Sequence, residues 1–147
     1  MQNLPLFIIG GASVIAGGLA AAVTGPAQWG HGSWVAAFLV LVAGVAQIGI
    51  GAGQAHLAPH APSATSIAVQ CAMWNAGCAM VIVGTLLSRP VIVYVGSAPL
   101  VAVLGMSAVA LRGTRVQRPA FLVLYRLLLM VLLASIPIGL ALAWARH

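Results

Sequence analysis

The chain has 147 residues, of which 63% are hydrophobic and only 4% are charged. A soluble domain carries about 25% charged residues, so a soluble protein of this composition could not cover its core with polar side chains. The chain contains six arginines and no Asp or Glu, which gives a net charge of +6. The chain therefore has no carboxylate side chain for a general base, a proton relay or a calcium site.

Long apolar runs predict transmembrane helices. No Asp, Glu, Lys or Arg occurs from Met1 to Ser88. Only helices or closed barrels satisfy backbone groups in hydrocarbon, and a barrel strand would alternate apolar and polar residues. These runs do not alternate. We predict an all-α integral membrane protein with a bundle of about five transmembrane helices, or four if the first lies in the interface.

The five runs form a single transmembrane domain. The first ends at Gly25-Pro26, the second loop contains Pro59 and Pro62, and Ser88-Arg89-Pro90 forms a tight connection between the third and fourth runs. Each run is long enough to cross about 30 Å of hydrocarbon. The predicted spans are about 4–24, 34–53, 66–87, 91–111 and 120–144.

The connection between the fourth and fifth spans carries the densest positive charge. Arg112, Arg115 and Arg118 lie there, and arginine-rich connections stay on the cytoplasmic side. We therefore expect the N-terminus and the 112–118 loop to be cytoplasmic, in a bacterial inner (plasma) membrane. Arginines at the edges of apolar runs contact headgroups, so we expect the lipid bilayer as a partner. We also expect other membrane protein subunits as partners, and no nucleic acid.

Small residues form stripes on the first two spans. At 100° per residue, Gly10 and Gly17 share one face of the first span, and Gly44 and Gly51 share a face of the second with Gln47 and Gln54. A GxxxG pair is formed by Gly49 and Gly53. Small residues let helix backbones approach closely. The stripes predict either packing between the first two spans or a face for another protein.

The third span is the most polar. Its polar face, about 140° wide, contains Gln70, Cys71, Trp74, Asn75 and Cys78. An Asn at this depth needs a partner because lipid offers none. We expect Asn75 to bond a backbone carbonyl or Gln47. The functional alternative is that Asn75 lines a pathway or contacts a ligand.

We predict no metal and no cofactor, with His31, His56, Cys71 and Cys78 as weak candidates for ligands. The two cysteines are about 10 Å apart along a helix, too far for a disulfide or for a shared copper ion without a bend. The two histidines bracket the second span. One of them could still bind a haem shared with a partner.

Arg126 lies about 10 Å inside the fifth span from Pro119. An arginine at mid-span costs roughly 2.5–3.5 kcal/mol on insertion scales. Its side chain can snorkel back to the interface, or it can face a lipid phosphate, an anionic ligand or an acidic residue of another subunit.

No catalytic residue is predicted, because the sequence contains no motif that indicates a reaction. The leading hypothesis is a non-enzymatic accessory or structural subunit of a larger membrane complex. The second is a small homo-oligomeric channel or carrier for a neutral or anionic solute, lined by Gln47, Gln54, Gln70 and Asn75. The third is a haem- or copper-binding membrane subunit.

Overall fold

The computed structural model describes residues 3–112 and 119–145, with the side chains of the last helix through Ala141. The chain forms five helices that are long and apolar enough to cross a membrane. The prediction of an all-α membrane bundle with about five spans is confirmed. The helices are α1 (Leu4–Thr24), α2 (Gly32–Leu57), α3 (Ala64–Leu86), α4 (Pro90–Ala110) and α5 (Pro119–Ala145).

The helix α2 extends beyond its predicted span of 34–53 at both ends, because helical hydrogen bonding begins at Gly32 and continues to Leu57. Its middle, Leu39–Ala46, is a π-helix. A π-helix pairs residues i and i+5 instead of i and i+4 and is rare in proteins. The apolar sequence of this stretch carries no proline or other signal for it.

The helices α1 and α2 pack with their backbones in close contact. A Cβ added at Gly10 would lie 3.1 Å from the carbonyl oxygen of Gly44, and one at Gly44 would lie 3.0 Å from that of Gly10. About two turns further along α1, a Cβ at Gly17 would lie 2.9 Å from the carbonyl oxygen of Ala36. Only glycine permits this separation, so the stripe on α1 is used inside the chain.

The helices α3 and α4 form an equally close antiparallel pair. A Cβ at Gly77 would lie 2.8 Å from the carbonyl oxygen of Gly96, and one at Gly84 would lie 2.9 Å from the Val93 nitrogen. Two backbone hydrogen bonds close the turn at the end of α3. The Arg89 N–H donates to the Gly84 carbonyl oxygen, and the Ser88 N–H donates to the Thr85 carbonyl oxygen. Ser88 takes a left-handed conformation there, with φ 54°.

The helix α5 lies against α2 and α4. Tyr125 is buried on Gly53, where its ring occupies the place of a Cβ, and a Cβ at Gly49 would lie 2.7 Å from Leu128. The main core lies between α2, α3 and α4 and contains Ala43, Ala46, Ile50, Trp74, Cys78, Val81, Val93, Leu100, Val103 and Leu104. We call the two ends of the bundle the Ser88 end, which also holds His31, and the Asn3 end, which also holds Leu57 and Leu111.

Candidate functional site

A polar network joins three helices inside the bundle. The Gln54 side-chain amide on α2 donates to Gln70 Oε1 on α3 at 2.7 Å and to Ser107 Oγ on α4 at 3.1 Å. Gln70 in turn donates to Ser66 Oγ at 3.2 Å. Gln54 and Gln70 are each 1% exposed, so these amides bond each other away from the lipid-facing surface.

Gln47 lies on the same face of α2 and is fully buried. Its amide donates to Cys71 Sγ at 3.4 Å, a weak bond because sulfur is a poor acceptor. The Oε1 atoms of Gln47 and Gln54 have no hydrogen-bond partner within the described residues. The Tyr125 hydroxyl is also buried and has no hydrogen-bond partner within the described residues. The network therefore keeps spare acceptor capacity.

Asn75 is half-buried on α3. Its amide donates to the Cys71 carbonyl oxygen one turn earlier, at 2.8 Å. Of the two partners expected from the sequence, a backbone carbonyl or Gln47, this is the backbone carbonyl. Cys71 and Cys78 are both buried, free thiols. The polar face of α3 thus points mainly into the bundle.

Trp74 makes a contact that the sequence did not indicate. Its indole Nε1–H donates to the Val42 carbonyl oxygen at 3.2 Å, and Val42 lies within the π-helical segment. Trp74 is 1% exposed. Its position on the polar face of α3 was visible in the sequence, but its acceptor was not, because backbone carbonyls carry no sequence signal.

The histidines lie at opposite ends of α2. His31 precedes its first turn, and His56 is in its last turn with Nδ1 2.9 Å from the Ala52 carbonyl oxygen. Both are exposed, whereas the two cysteines are inside the bundle. Within the described residues, no three His, Cys, Asp or Glu side chains come together as a metal site.

The glycines singled out for helix packing all lie at contacts within this chain. On α2 they divide between two neighbours, since Gly44 and Gly51 face α1 while Gly49 and Gly53 face α5. Sequence analysis missed the glycines of the α3–α4 pair, which are Gly77, Gly84 and Gly96. Gly77 and Gly84 are seven residues apart on α3, and this spacing was the available signal.

Arg126 is exposed on the surface of α5. It shares an exposed stripe with Val123, Met130 and Leu133, spaced by three and four residues. The apolar members of the stripe need no partner other than lipid. The Arg126 guanidinium needs water, a headgroup or an anionic group nearby, and the chain supplies no carboxylate side chain.

A cavity of about 360 Å³ lies at the Ser88 end, between α2, α3, α4 and α5. This volume falls within the range of small-molecule sites in proteins. Trp34 and Phe38 stack on one wall with ring centroids 5.4 Å apart. Most of the remaining wall is apolar or hydroxyl-bearing, including Val42, Val81, Thr85, Val93, Ser97, Leu100, Ser135, Ile136, Gly139 and Leu140.

A second cavity, of about 520 Å³, lies at the Asn3 end and is lined by Gln54, Phe7 and small residues of the second loop. The Asn3 amide beside it donates to the Gly51 carbonyl oxygen at 2.9 Å. The network of Gln54 and Gln70 thus borders this cavity. Neither cavity was predicted, because each forms between segments that are distant in sequence.

Comparison with known proteins adds no relative, since no family model, curated protein or solved structure matches this chain.

Proposed function

We propose that this protein is a non-enzymatic, multi-pass subunit of a larger membrane complex, and that Arg126 on α5 contacts an acidic residue of a neighbouring subunit. One observation carries the proposal. An arginine lies within a hydrophobic span, on the outside of the bundle, in a chain that has no carboxylate side chain. A cation in that position gains most from an acidic partner on another chain.

The position of α5 supports this proposal. In its hydrophobic window 17% of the residues are buried, the same share as in α1, compared with 44% in α2 and α3. The exposed stripe around Arg126 can therefore receive a second helix without disturbing the core. Bidentate pairing with a carboxylate would give such a contact both energy and register.

The interior amides favour a subunit over a homo-oligomeric pore. Gln47, Gln54 and Gln70 are at most 1% exposed and bond within one chain. A pore shared between copies needs its polar lining on the surface that the copies share. The stripe around Arg126 is apolar apart from the arginine itself.

We place the protein in a bacterial inner membrane, with the N-terminus and the 112–118 loop in the cytoplasm. Most of that loop lies outside the described residues, so its arginines support the orientation through the sequence alone. Arg126 then lies in the cytoplasmic half of the bilayer. The acidic partner is expected at the same depth on its own helix.

Photo-crosslinking tests the proposal. A photoreactive residue at Met130, one turn from Arg126, should crosslink to a transmembrane peptide of another protein that contains Asp or Glu within about one turn of the attachment point. The same residue at Ile15, exposed on α1, is the control. Crosslinks to lipid alone from Met130 would contradict the proposal.

Variants of Arg126 separate pairing from snorkelling. Arg126→Lys should weaken assembly because Lys loses the bidentate fork, and Arg126→Ala should weaken it by roughly 3–5 kcal/mol if the pair is fully buried. Arg112→Ala, at an exposed arginine beyond the end of α4, is the matched control. Equal assembly in all variants would make Arg126 a topological anchor and refute the proposal.

A further inference from the structure

We propose that the Ser88-end cavity binds one amphiphile with an apolar chain and an anionic head, the chemistry shared by acidic phospholipids and fatty acids. The inference rests on the cavity and on the charges at its mouth, and it is independent of any protein partner on α5.

The inner walls of the cavity suit an apolar chain. Val42, Val81 and Leu100 close its deep end, while Trp34 and Phe38 form one side. Three of the four hydroxyls that line it are already committed as donors, because Thr85, Ser97 and Ser135 each donate to a carbonyl of their own helix at 2.8 Å. A polar solute would find few donors there, whereas a hydrocarbon chain needs none.

An arginine lies beside the mouth of the cavity. Ser88 and Pro90 line it, and Arg89 lies between them in sequence and is exposed. His31 lines it from α2, and the N-termini of α2 and α4 both begin at this mouth, where helix dipoles favour anions. The chain has no acidic side chain to neutralise these groups.

The cavity at the Asn3 end provides an internal comparison. It is larger, but its lining contains no charged residue and no arginine lies beside its lining residues in sequence. The Ser88-end cavity therefore combines apolar inner walls with an arginine adjacent in sequence to its rim, whereas Arg112 at the Asn3 end follows α4 and is not adjacent in sequence to the residues that line the second cavity. If Arg89 held the phosphate or carboxylate of the headgroup, the hydrocarbon chain of the ligand would be directed toward Leu100.

The space-filling test uses two glycines. Gly139 lines the cavity and an added Cβ there would contact nothing within 4 Å, so Gly139→Phe adds volume without a backbone clash. Gly105 is equally unobstructed but lies on the exposed face of α4, so Gly105→Phe is the matched control. A second filling variant, Ser97→Leu, reaches the same space from α4.

Native mass spectrometry of detergent-purified protein is the first measurement. We expect wild type and Gly105→Phe to retain one acidic lipid per chain, whose mass distinguishes a phospholipid from a fatty acid. Gly139→Phe and Ser97→Leu should lose it. Equal retention in all four proteins, or no retention in wild type, would overturn the proposal.

Fluorescence quenching is the second measurement and does not depend on what co-purifies. Vesicles of phosphatidylglycerol with brominated chains should quench the Trp34 share of the emission, defined by subtraction of Trp34→Phe, more than vesicles of brominated phosphatidylcholine do. Arg89→Gln should weaken this preference about tenfold, the scale for one lost charged hydrogen bond, while Arg112→Gln should not. Equal quenching by both lipids in wild type, with no fatty acid retained in the mass spectrum, would show annular lipid and refute the site.

Discussion

The indole N–H of Trp74 on α3 donates to the carbonyl oxygen of Val42 on α2 across 3.2 Å, and Val42 lies inside the π-helical segment Leu39–Ala46. The bond ties this π-helical stretch of α2 to the most polar helix. It also lies between the two cavities, since Val42 lines one and α2 continues to Gln54 at the other. Irregular helical turns of this kind are frequent at functional sites.

Trp74→Phe should loosen this segment. The substitution keeps an aromatic ring in the core but removes the donor, at a cost of about 1 kcal/mol. Hydrogen exchange of the amides at 39–46 should become faster, and the unfolding temperature in detergent should fall. Trp34→Phe is the control, because the Trp34 indole makes no hydrogen bond within the described residues and its ring contact with Phe38 would remain. Unchanged exchange in Trp74→Phe would show that the π-segment is stable without this bond.

The amide bond between Gln54 and Gln70 should be measurable as a coupling. Gln54→Leu leaves Gln70 Oε1 and Ser107 Oγ without their donor, and interhelical bonds in membranes average about 0.6 kcal/mol with a maximum near 1.7. A double-mutant cycle of Gln54→Leu and Gln70→Leu should give a coupling in this range. Gln28→Leu removes an exposed loop amide whose bond to the Gly25 carbonyl oxygen, 3.3 Å long, is local, so it should show no coupling to either core variant. Strict additivity of the two core variants would contradict the network.

The sequence was sufficient for the fold class because transmembrane helices are specified by continuous hydrophobicity, which is local. It also indicated which faces of the first two spans carry small residues. Five residues at 100° each place Gly44 and Gly49 about 140° apart on α2, but the sequence could not indicate which helix each one contacts, because the choice of neighbour depends on how all five helices are arranged. The same limit applies to the cavities and to the Val42 carbonyl, which exist only between distant segments.

Gly77→Ala should destabilise the bundle. The new Cβ would lie 2.8 Å from the carbonyl oxygen of Gly96, a backbone atom that cannot rotate away, so α3 and α4 would have to separate. Overpacking of this kind costs about 1–3 kcal/mol. Gly105→Ala, with open space around the added carbon, should be neutral or slightly stabilising. Thermal unfolding in detergent compares the two, and equal midpoints would show that α3 and α4 are farther apart than the contact implies.

Ser88→Gly should stabilise the turn between α3 and α4. Ser88 has φ 54°, and a residue with a Cβ pays roughly 1–2 kcal/mol in this region whereas glycine does not. The paired bonds from Ser88 and Arg89 to the end of α3 would be kept. Ser88→Ala is the matched control, because it retains the Cβ and removes only the hydroxyl. A midpoint for Ser88→Gly at or below that of Ser88→Ala would contradict the left-handed turn.

The orientation is tested by the accessibility of single cysteines in intact cells. Thr114 lies outside the described residues, in the sequence segment with Arg112, Arg115 and Arg118, and these charges should hold it on the cytoplasmic side. Thr114→Cys should react with an impermeant maleimide only after the cells are permeabilised.

Ser88→Cys, the control, lies at the other end of the bundle in an exposed turn and should react in intact cells. The native thiols Cys71 and Cys78 are buried, so wild type gives the background. Arg89 and, by its place in the sequence after the fifth span, Arg146 oppose this orientation with two charges against three, and we expect the loop with three arginines to determine the topology. Labelling of Thr114→Cys in intact cells, with Ser88→Cys protected, would reverse the topology and place Arg126 in the outer half of the bilayer.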